Sequence, residues 1–210
     1  MKANEIQETE GWMQDRAGKF TASRSGDLMA KTRTGPSASR ANLLALLAVE
    51  RITGQCVETY QNAAMARGSE LEGEARDAYS FESGLAIQEC GFVQHPTMPY
   101  VGCSPDGLIG DSGLIEIKCP ASMQKHLESL RNGAHAQEYR WQLQHQLMVT
   151  GREWVRAISY DPRFPDGLQI AEVLVERDES AIKELLEEIR KAEVEVSAIV
   201  AELVERRKAA

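Results

Sequence analysis

Long apolar runs are missing from this chain of 210 residues, and no stretch approaches the ~20 apolar residues that a membrane span needs. The opening Met1-Lys-Ala-Asn-Glu-Ile6 has no hydrophobic signal region, so the expectation is a cytoplasmic protein and not a secreted one. Cysteine is sparse. Cys56, Cys90, Cys103 and Cys119 are scattered with no C-x-x-C pair, which points to reduced thiols acting as small apolar residues. The 4 histidines make no H-E-x-x-H or mixed Cys/His zinc pattern. An excess of basic charge is also missing: the net charge of −8 argues against a generally adhesive nucleic-acid surface, so any basic channel must be local. Repeats and low-complexity segments are absent too. What remains is a globular composition, 42% hydrophobic and 27% charged, with length for one domain (1–210) and a real core.

The densest chemistry lies in Gly102-Cys-Ser-Pro-Asp-Gly-Leu-Ile-Gly-Asp-Ser-Gly-Leu-Ile-Glu-Ile-Lys-Cys-Pro120. Leu114-Ile-Glu-Ile-Lys118 alternates apolar and polar residues, the period of a half-buried strand. Leu114, Glu116 and Lys118 therefore share one face, and Ile115 and Ile117 the other. Asp106 stands between a proline and a glycine, so its carboxylate sits at a bend. Directly paired residues of an antiparallel hairpin point the same way, and a three- or five-residue loop centred on Asp111 pairs Asp106 with Glu116. A Gly110-Asp111-Ser112 turn followed by Gly113 in the left-handed conformation would satisfy this; loops of two or four residues would need a bulge. Two carboxylates and an ammonium then converge. With the Ile117 carbonyl they suit Mg²⁺, which keeps several waters and binds substrate phosphates. Lys118 would orient or deprotonate a metal-bound water, or stabilise the transition state. A bare Glu-x-Lys is usually a solvated edge strand. The preceding Pro105-Asp106, the ten-residue spacing and the flanking Gly102 and Pro120 favour an active site.

Other stretches offer supporting chemistry. Phe20-Thr-Ala-Ser23 supplies N-caps for a helix through Leu28 to Lys31, whose free N–H groups invite an anion, with Arg16, Arg24, Lys31 and Arg33 around it. Taken alone, this is an ordinary capped helix. Residues 34–39 read as a loop, and 42–52 as an apolar core helix stopped by Gly54. A helix over 65–81 buries Leu71, Ala75, Ala78 and Tyr79, and carries the i,i+4 pair Glu72–Arg76. A strand broken by Pro96 and Pro99 precedes the hairpin, and a polar helix with Lys125 follows it. The helix over 139–150 sets Gln142, His145 and Gln146 on one face, where amides can orient a phosphate or a water, or simply be solvated. Strands over 153–160 and 168–176 lead to a long amphipathic helix, 178–207. Its apolar face is Ile182, Leu185, Leu186, Ile189, Ile199, Leu203 and Val204, and its Glu-rich remainder suggests a packing or subunit-contact element away from nucleic acid.

The pattern Ser104-Pro-Asp-Gly-Leu108 … Leu114-Ile-Glu-Ile-Lys-Cys-Pro120 resembles the phage lambda exonuclease (YqaJ-like viral recombinase) branch of the PD-(D/E)xK nucleases, and the likeness runs from about Trp12 to Asp178. It implies a Mg²⁺-dependent 5′→3′ exonuclease on double-stranded DNA ends, with Mn²⁺ as a substitute ion. Asp106 and Glu116 would bind metal, assisted by the Ile117 carbonyl and by Glu72 in Gly68-x3-Glu72-x3-Arg76, and Lys118 would activate the water. Arg16 and Ser23, within Trp12-x3-Arg16-x-Gly18-x2-Thr21-Ala-Ser23, would grip the 5′-terminal phosphate with Ser104 and Gln142. Gln142 also counts among the catalytic residues, and with Gln144, which would contact DNA, it forms the Gln-x-Gln of the family. Arg33 falls at a DNA-contacting arginine, and Met65 at an apolar residue that wedges into the duplex end. Gln124 stands where the family often has an arginine, leaving Lys125 beside it as the DNA contact.

The element order fits an α+β core, a mixed central sheet flanked by helices. The resemblance further implies a ring-shaped homotrimer, a single-strand annealing recombinase as partner, and a host bacterial cytoplasm if the chain is phage-encoded. Two rivals differ in what they need: a PD-(D/E)xK endonuclease would dispense with the phosphate pocket, and a DNA-end-binding scaffold would dispense with Asp106, Glu116 and Lys118.

Overall fold

A computed structural model describes residues 7, 9–33, 35–57 and 63–209, with side chains described for all of these except 63–65 and 209. The first half runs α1 (Glu10–Arg16), β1 (Phe20–Thr21), a 3₁₀ turn (Ala22–Arg24), α2 (Ser25–Met29), β2 (Lys31–Thr32), β3 (Gly35–Pro36), α3 (Ala38–Thr53) and α4 (Ala63–Ser83). Five short strands follow: β4 (Ile87–Gln88), β5 (Val93–Gln94), β6 (Val101–Cys103), β7 (Gly107–Ile109) and β8 (Gly113–Lys118). The chain closes with α5 (Met123–Asn132), α6 (Ala134–Glu138), α7 (Arg140–Thr150), β9 (Trp154–Tyr160), β10 (Ile170–Glu176) and α8 (Glu179–Ala209).

Five strands form a mixed sheet in the order β10-β9-β8-β7-β4. All neighbours are antiparallel except β8 and β9, which run parallel from Gly113↔Trp154 to Lys118↔Ser159. The alternation along β8 decides what each face meets. Ile115 and Ile117 pack with Ala75 and Tyr79 of α4, while Leu114 packs with Leu143 and Leu147 of α7 and Ala136 of α6. Helices thus cover both faces, the α+β arrangement expected. A second sheet, β1-β6-β5, pairs β1 with β6 in parallel. It joins α2, α3, α7 and α8 around Phe20, Leu28, Leu47, Leu185 and Ile189, all at most 2% exposed. Each such side chain contributes about 1.5–3 kcal/mol through burial.

The hairpin register is the one the spacing predicts. Gly107↔Ile115, Leu108↔Leu114 and Ile109↔Gly113 pair across a three-residue Gly110-Asp111-Ser112 turn, which places Asp106 opposite Glu116. The left-handed residue is Gly110 (φ 53), however, and not Gly113. Gly113 is required for space: a Cβ there would stand 2.1 Å from the Trp154 ring. Two other boundaries shift. The helix beyond Ser23 stops at Met29 because Ala30 turns extended, so Lys31 lies in the β2–β3 hairpin, and Thr21 makes no side-chain cap. In α8, capped by Asp178 accepting from Ser180 and Ala181 N–H at 3.0 Å, the buried stripe is Ile182, Leu185, Ile189, Ala192 and Val196. Beyond it, Ile199, Leu203 and Val204 are 37–44% exposed.

Candidate active site

Asp106, at the entry to β7, and Glu116, in the middle of β8, are 8% and 2% exposed. Asp106 Oδ2 accepts the Ile117 N–H at 2.6 Å, so it is clamped against the strand that carries Glu116. Glu116 is surrounded by donors. Its Oε1 accepts from Lys118 Nζ at 2.6 Å and from the Gln142 amide; its Oε2 accepts from Gln146 Nε2 at 2.5 Å. Lys118 Nζ also lies 4.7 Å from the centre of the Tyr139 ring, a cation–π contact. Glu72 borders, with Ile117, Lys118, Lys125, His135 and Tyr139, a cavity of about 570 Å³ beside these carboxylates.

The electrostatics are those of a carboxylate surplus. Burial pushes the Asp106 carboxyl well above its ordinary range, and the charges of Glu116 and Glu72 push it further. Burial opposes charge on Lys118, but Glu116 and Asp106 outweigh it and hold the ammonium protonated. Lys118 in this setting is a charged donor to Glu116. The donor set fits a hard divalent cation: carboxylates, the Ile117 carbonyl, and Gln146 Oε1, which is buried without a hydrogen-bond partner. Among the described residues no three His, Cys, Asp or Glu side chains cluster closely enough to hold an ion by themselves, so protein oxygens would be few and water would complete the shell.

A second polar cluster lies across the parallel β1–β6 pair. Arg16, at the end of α1, donates from Nη2 to Ser23 Oγ at 3.2 Å and from Nη1 to Ser104 Oγ at 3.4 Å. Trp12 donates Nε1 to the same Ser104 Oγ at 2.9 Å, and its ring lies 4.1 Å from the Arg16 guanidinium. Burial, then the neighbouring Arg24, lowers the Arg16 pKa to about 10, which leaves it charged near neutrality and short of an anion.

The model of the YqaJ-like viral recombinase domain matches residues 11–153. The chain belongs to that family. Two structures of LHK-Exo, an alkaline exonuclease from Laribacter hongkongensis, one in complex with dAMP, are 43% identical to it; each match covers 96% of this chain and 98% of that one, with a TM-score of 0.86. A phage-related exonuclease from Haemophilus somnus 129PT shares the fold at 14% identity and a TM-score of 0.74, covering 88% of this chain and 96% of that one. Comparison with curated protein sequences gave no match. Fold and family are those of a phage-type exonuclease.

Within this YqaJ-like framework, Asp106, Glu116, Lys118 and Gln142 are brought together, and Arg16, Ser23 and Ser104 meet in the second cluster. Gln142 lies with the carboxylates instead, donating Nε2 to Glu116. Lys125 is exposed at the cavity and pairs with Glu138 at 2.9 Å. Arg33 is exposed in the β2–β3 turn. The Met65 side chain lies outside the described residues. The expectation for Gln144 is overturned. It is 2% exposed, donates to the Glu176 carbonyl at 2.9 Å and accepts the Asp178 N–H at 2.9 Å, so it ties β10 to α8 and has no amide atom left for DNA. Residues two apart on a helix point to opposite sides, whereas Gln146, four beyond Gln142, shares its face. Gln146 is the site residue that the Gln-x-Gln pattern conceals and the i, i+4 spacing reveals. His145, on the same stretch, is fully buried against Ser25 Oγ at 2.7 Å, its pKa lowered to about 3 by burial, and belongs to helix packing.

Proposed function

We propose that this chain is a single exonuclease domain that digests one strand of duplex DNA in the 5′→3′ direction from 5′-phosphorylated ends, with Mg²⁺ and, as substitute, Mn²⁺. One observation carries the reading. Ser104, in the Arg16 cluster, and Asp106, in the carboxylate cluster, are two residues apart, hence at most ~7 Å along the chain, the rise of about two stacked nucleotides. An anion-gripping cluster at that distance from a metal-type cluster suits an enzyme that holds a terminal phosphate and cuts at the adjacent linkage.

Asp106, Glu116 and the Ile117 carbonyl would hold the ion, with Glu72 behind them. When bound, Mg²⁺ lowers the pKa of its water and offsets charge on the phosphoryl group. Gln142 and Gln146 fix the rotamer of Glu116 by donating to both its oxygens, so its geometry is set before substrate arrives. Lys118 would orient and activate the attacking water and, as a charged donor, stabilise the negative charge that develops on the phosphate oxygens. Arg16, Ser23 and Ser104 supply donors for the terminal phosphate, and Arg is suited to bidentate phosphate recognition. Arg33, Met65 and Lys125 are assigned to the duplex. The apolar side chains beyond Val196 on α8, with Val194 70% exposed, support assembly with further copies, as a ring-shaped trimer that would keep the enzyme on its substrate. A single-strand annealing protein is the partner such a product calls for.

The test compares linear duplexes bearing 5′-phosphate or 5′-hydroxyl ends with a closed circle, with and without chelator. Release of nucleotides from both linear duplexes, faster from the phosphorylated one, with none from the circle and all of it abolished by chelator, is expected. Cutting of the circle would make the enzyme an endonuclease, and absence of metal-dependent release would leave an end-binding scaffold.

A further inference from the structure

The turn that follows Arg16 is gripped by the end of α3. Glu50, 1% exposed, accepts the Gly18 N–H at 2.8 Å, and Nη1 and Nη2 of Arg24 at 2.9 and 2.8 Å. Its Oε1 also accepts the Val57 N–H at 3.2 Å. The next residue, Arg51, donates Nε to the Gly18 carbonyl at 2.8 Å and is itself fixed by Glu193 of α8 at 2.9 and 2.7 Å. Gly18 has φ +68, and a Cβ there would stand 2.6 Å from Arg51 Cγ, so the turn is built around a glycine and both its backbone groups are pinned.

These contacts converge on the Arg16 cluster. Gly18 lies two residues beyond Arg16, and Arg24 is the neighbour of Ser23. One carboxylate therefore fixes both chain segments whose side chains meet at Ser104. Core packing alone does not call for this arrangement, because an apolar residue would fill the same space without the cost of burying a charge. Glu50 also balances Arg24, the cation nearest in sequence to the pocket, while the hydrogen-bond partners of the Arg16 guanidinium among the described residues are the neutral hydroxyls of Ser23 and Ser104.

We propose that Glu50 is a positioning residue for the 5′-terminal phosphate, acting through the Gly18 turn and Arg24 to set Arg16 and Ser23. It touches no substrate. The proposal rests on the assignment of Arg16, Ser23 and Ser104 to that phosphate.

The experiment measures kcat/KM on linear duplexes with 5′-phosphate and 5′-hydroxyl ends for wild type, Arg16→Ala, Glu50→Gln, and the double variant Arg24→Gln/Glu50→Gln, which removes the buried pair together and so leaves no unpaired charge if the single variant fails to fold. The ratio of the two values should fall about ten-fold in the Glu50 variants, the size typical of losing a residue that orients a ligand, while the rate on 5′-hydroxyl ends holds. A folded variant that keeps the wild-type ratio, or one whose two rates fall in equal measure, overturns the proposal and makes Glu50 a stability element. If Arg16→Ala loses the ratio while both Glu50 variants keep it, the pocket stands and Glu50 has no part in it. A wild-type enzyme indifferent to the 5′-phosphate overturns the pocket itself.

Discussion

Exchanging the roles of two glutamines on one helix gives a sharp test of the site. Gln146→Leu removes the donor to Glu116 Oε2 and, with it, a buried amide oxygen that has no partner. A hydrogen bond to a charged group is worth about 1.5–3 kcal/mol, but the orphaned acceptor disappears as well, so the net stability change should stay within about 1 kcal/mol. Glu116 would then be held through Oε1 alone, by Lys118 and Gln142, and loss of an orienting partner of this kind costs about 10–100-fold in metal affinity or activity. Gln144→Leu does the reverse. It strands the Glu176 carbonyl and the Asp178 N–H, at about 1–3 kcal/mol per group. For a chain of this size, roughly 2–4 °C of Tm per kcal/mol puts the fall at ~4 °C or more. Initial digestion rates across a Mg²⁺ series, beside thermal unfolding curves, read both effects. Gln146→Leu should need more Mg²⁺ and turn over slowly at near-normal Tm; Gln144→Leu should melt early yet, below its transition, cut at the normal rate. A Gln146→Leu enzyme with wild-type Mg²⁺ dependence would refute the coupling of Gln146 to Glu116.

Three further outcomes are expected. Lys118→Ala should abolish digestion yet keep affinity for a phosphorylated end in a gel-shift assay; loss of both would give Lys118 a structural role. Burial alone would raise the Glu50 carboxyl, but its hydrogen bond and ion pair with Arg24 outweigh it and hold the pKa below its ordinary 4.5. The stability that Glu50 contributes is therefore present above 4.5 and is lost as pH falls below that value. The Tm gap between wild type and Glu50→Gln should accordingly be widest near neutrality and close on acidification; a gap that widens in acid would show the sign to be wrong. Leu203→Glu on the exposed end of α8 should lower the oligomeric mass in sedimentation without lowering Tm of the separated chain, since Leu203 is 44% exposed and packs little within its own subunit; an unchanged mass would place the subunit contact elsewhere.

Alternation and spacing are local properties, and they carried much of the site. The period of two along Leu114–Lys118 put Glu116 on the α7 face and Ile115 and Ile117 on the α4 face, and the odd loop fixed the Asp106–Glu116 register, because a shift of one residue would have turned every apolar side chain outward. The glycine chosen for the left-handed turn residue was the wrong one of two, since the pattern does not show that Trp154, forty-one residues away, stacks over Gly113. Likewise the family pattern linked Arg16, Ser23, Ser104 and Gln142, but only packing decided that Gln142 faces Glu116 while the other three close on one another.

The sequence by itself determined the hairpin that pairs Asp106 with Glu116 and the helix face that meets it, because each depends on residue type and on a period of two or three to four, while the grouping of Arg16 with Ser23 and Ser104 came from the family pattern. The tertiary structure alone decided that Lys118 pairs with Glu116, that Gln146 and not Gln144 serves Glu116, that Glu50 braces the Arg16 turn, and that the end of α8 is left exposed. Those outcomes depend on burial and on partners brought from distant segments, and desolvation and hydrogen-bond saturation have no signature in the order of residues along a chain.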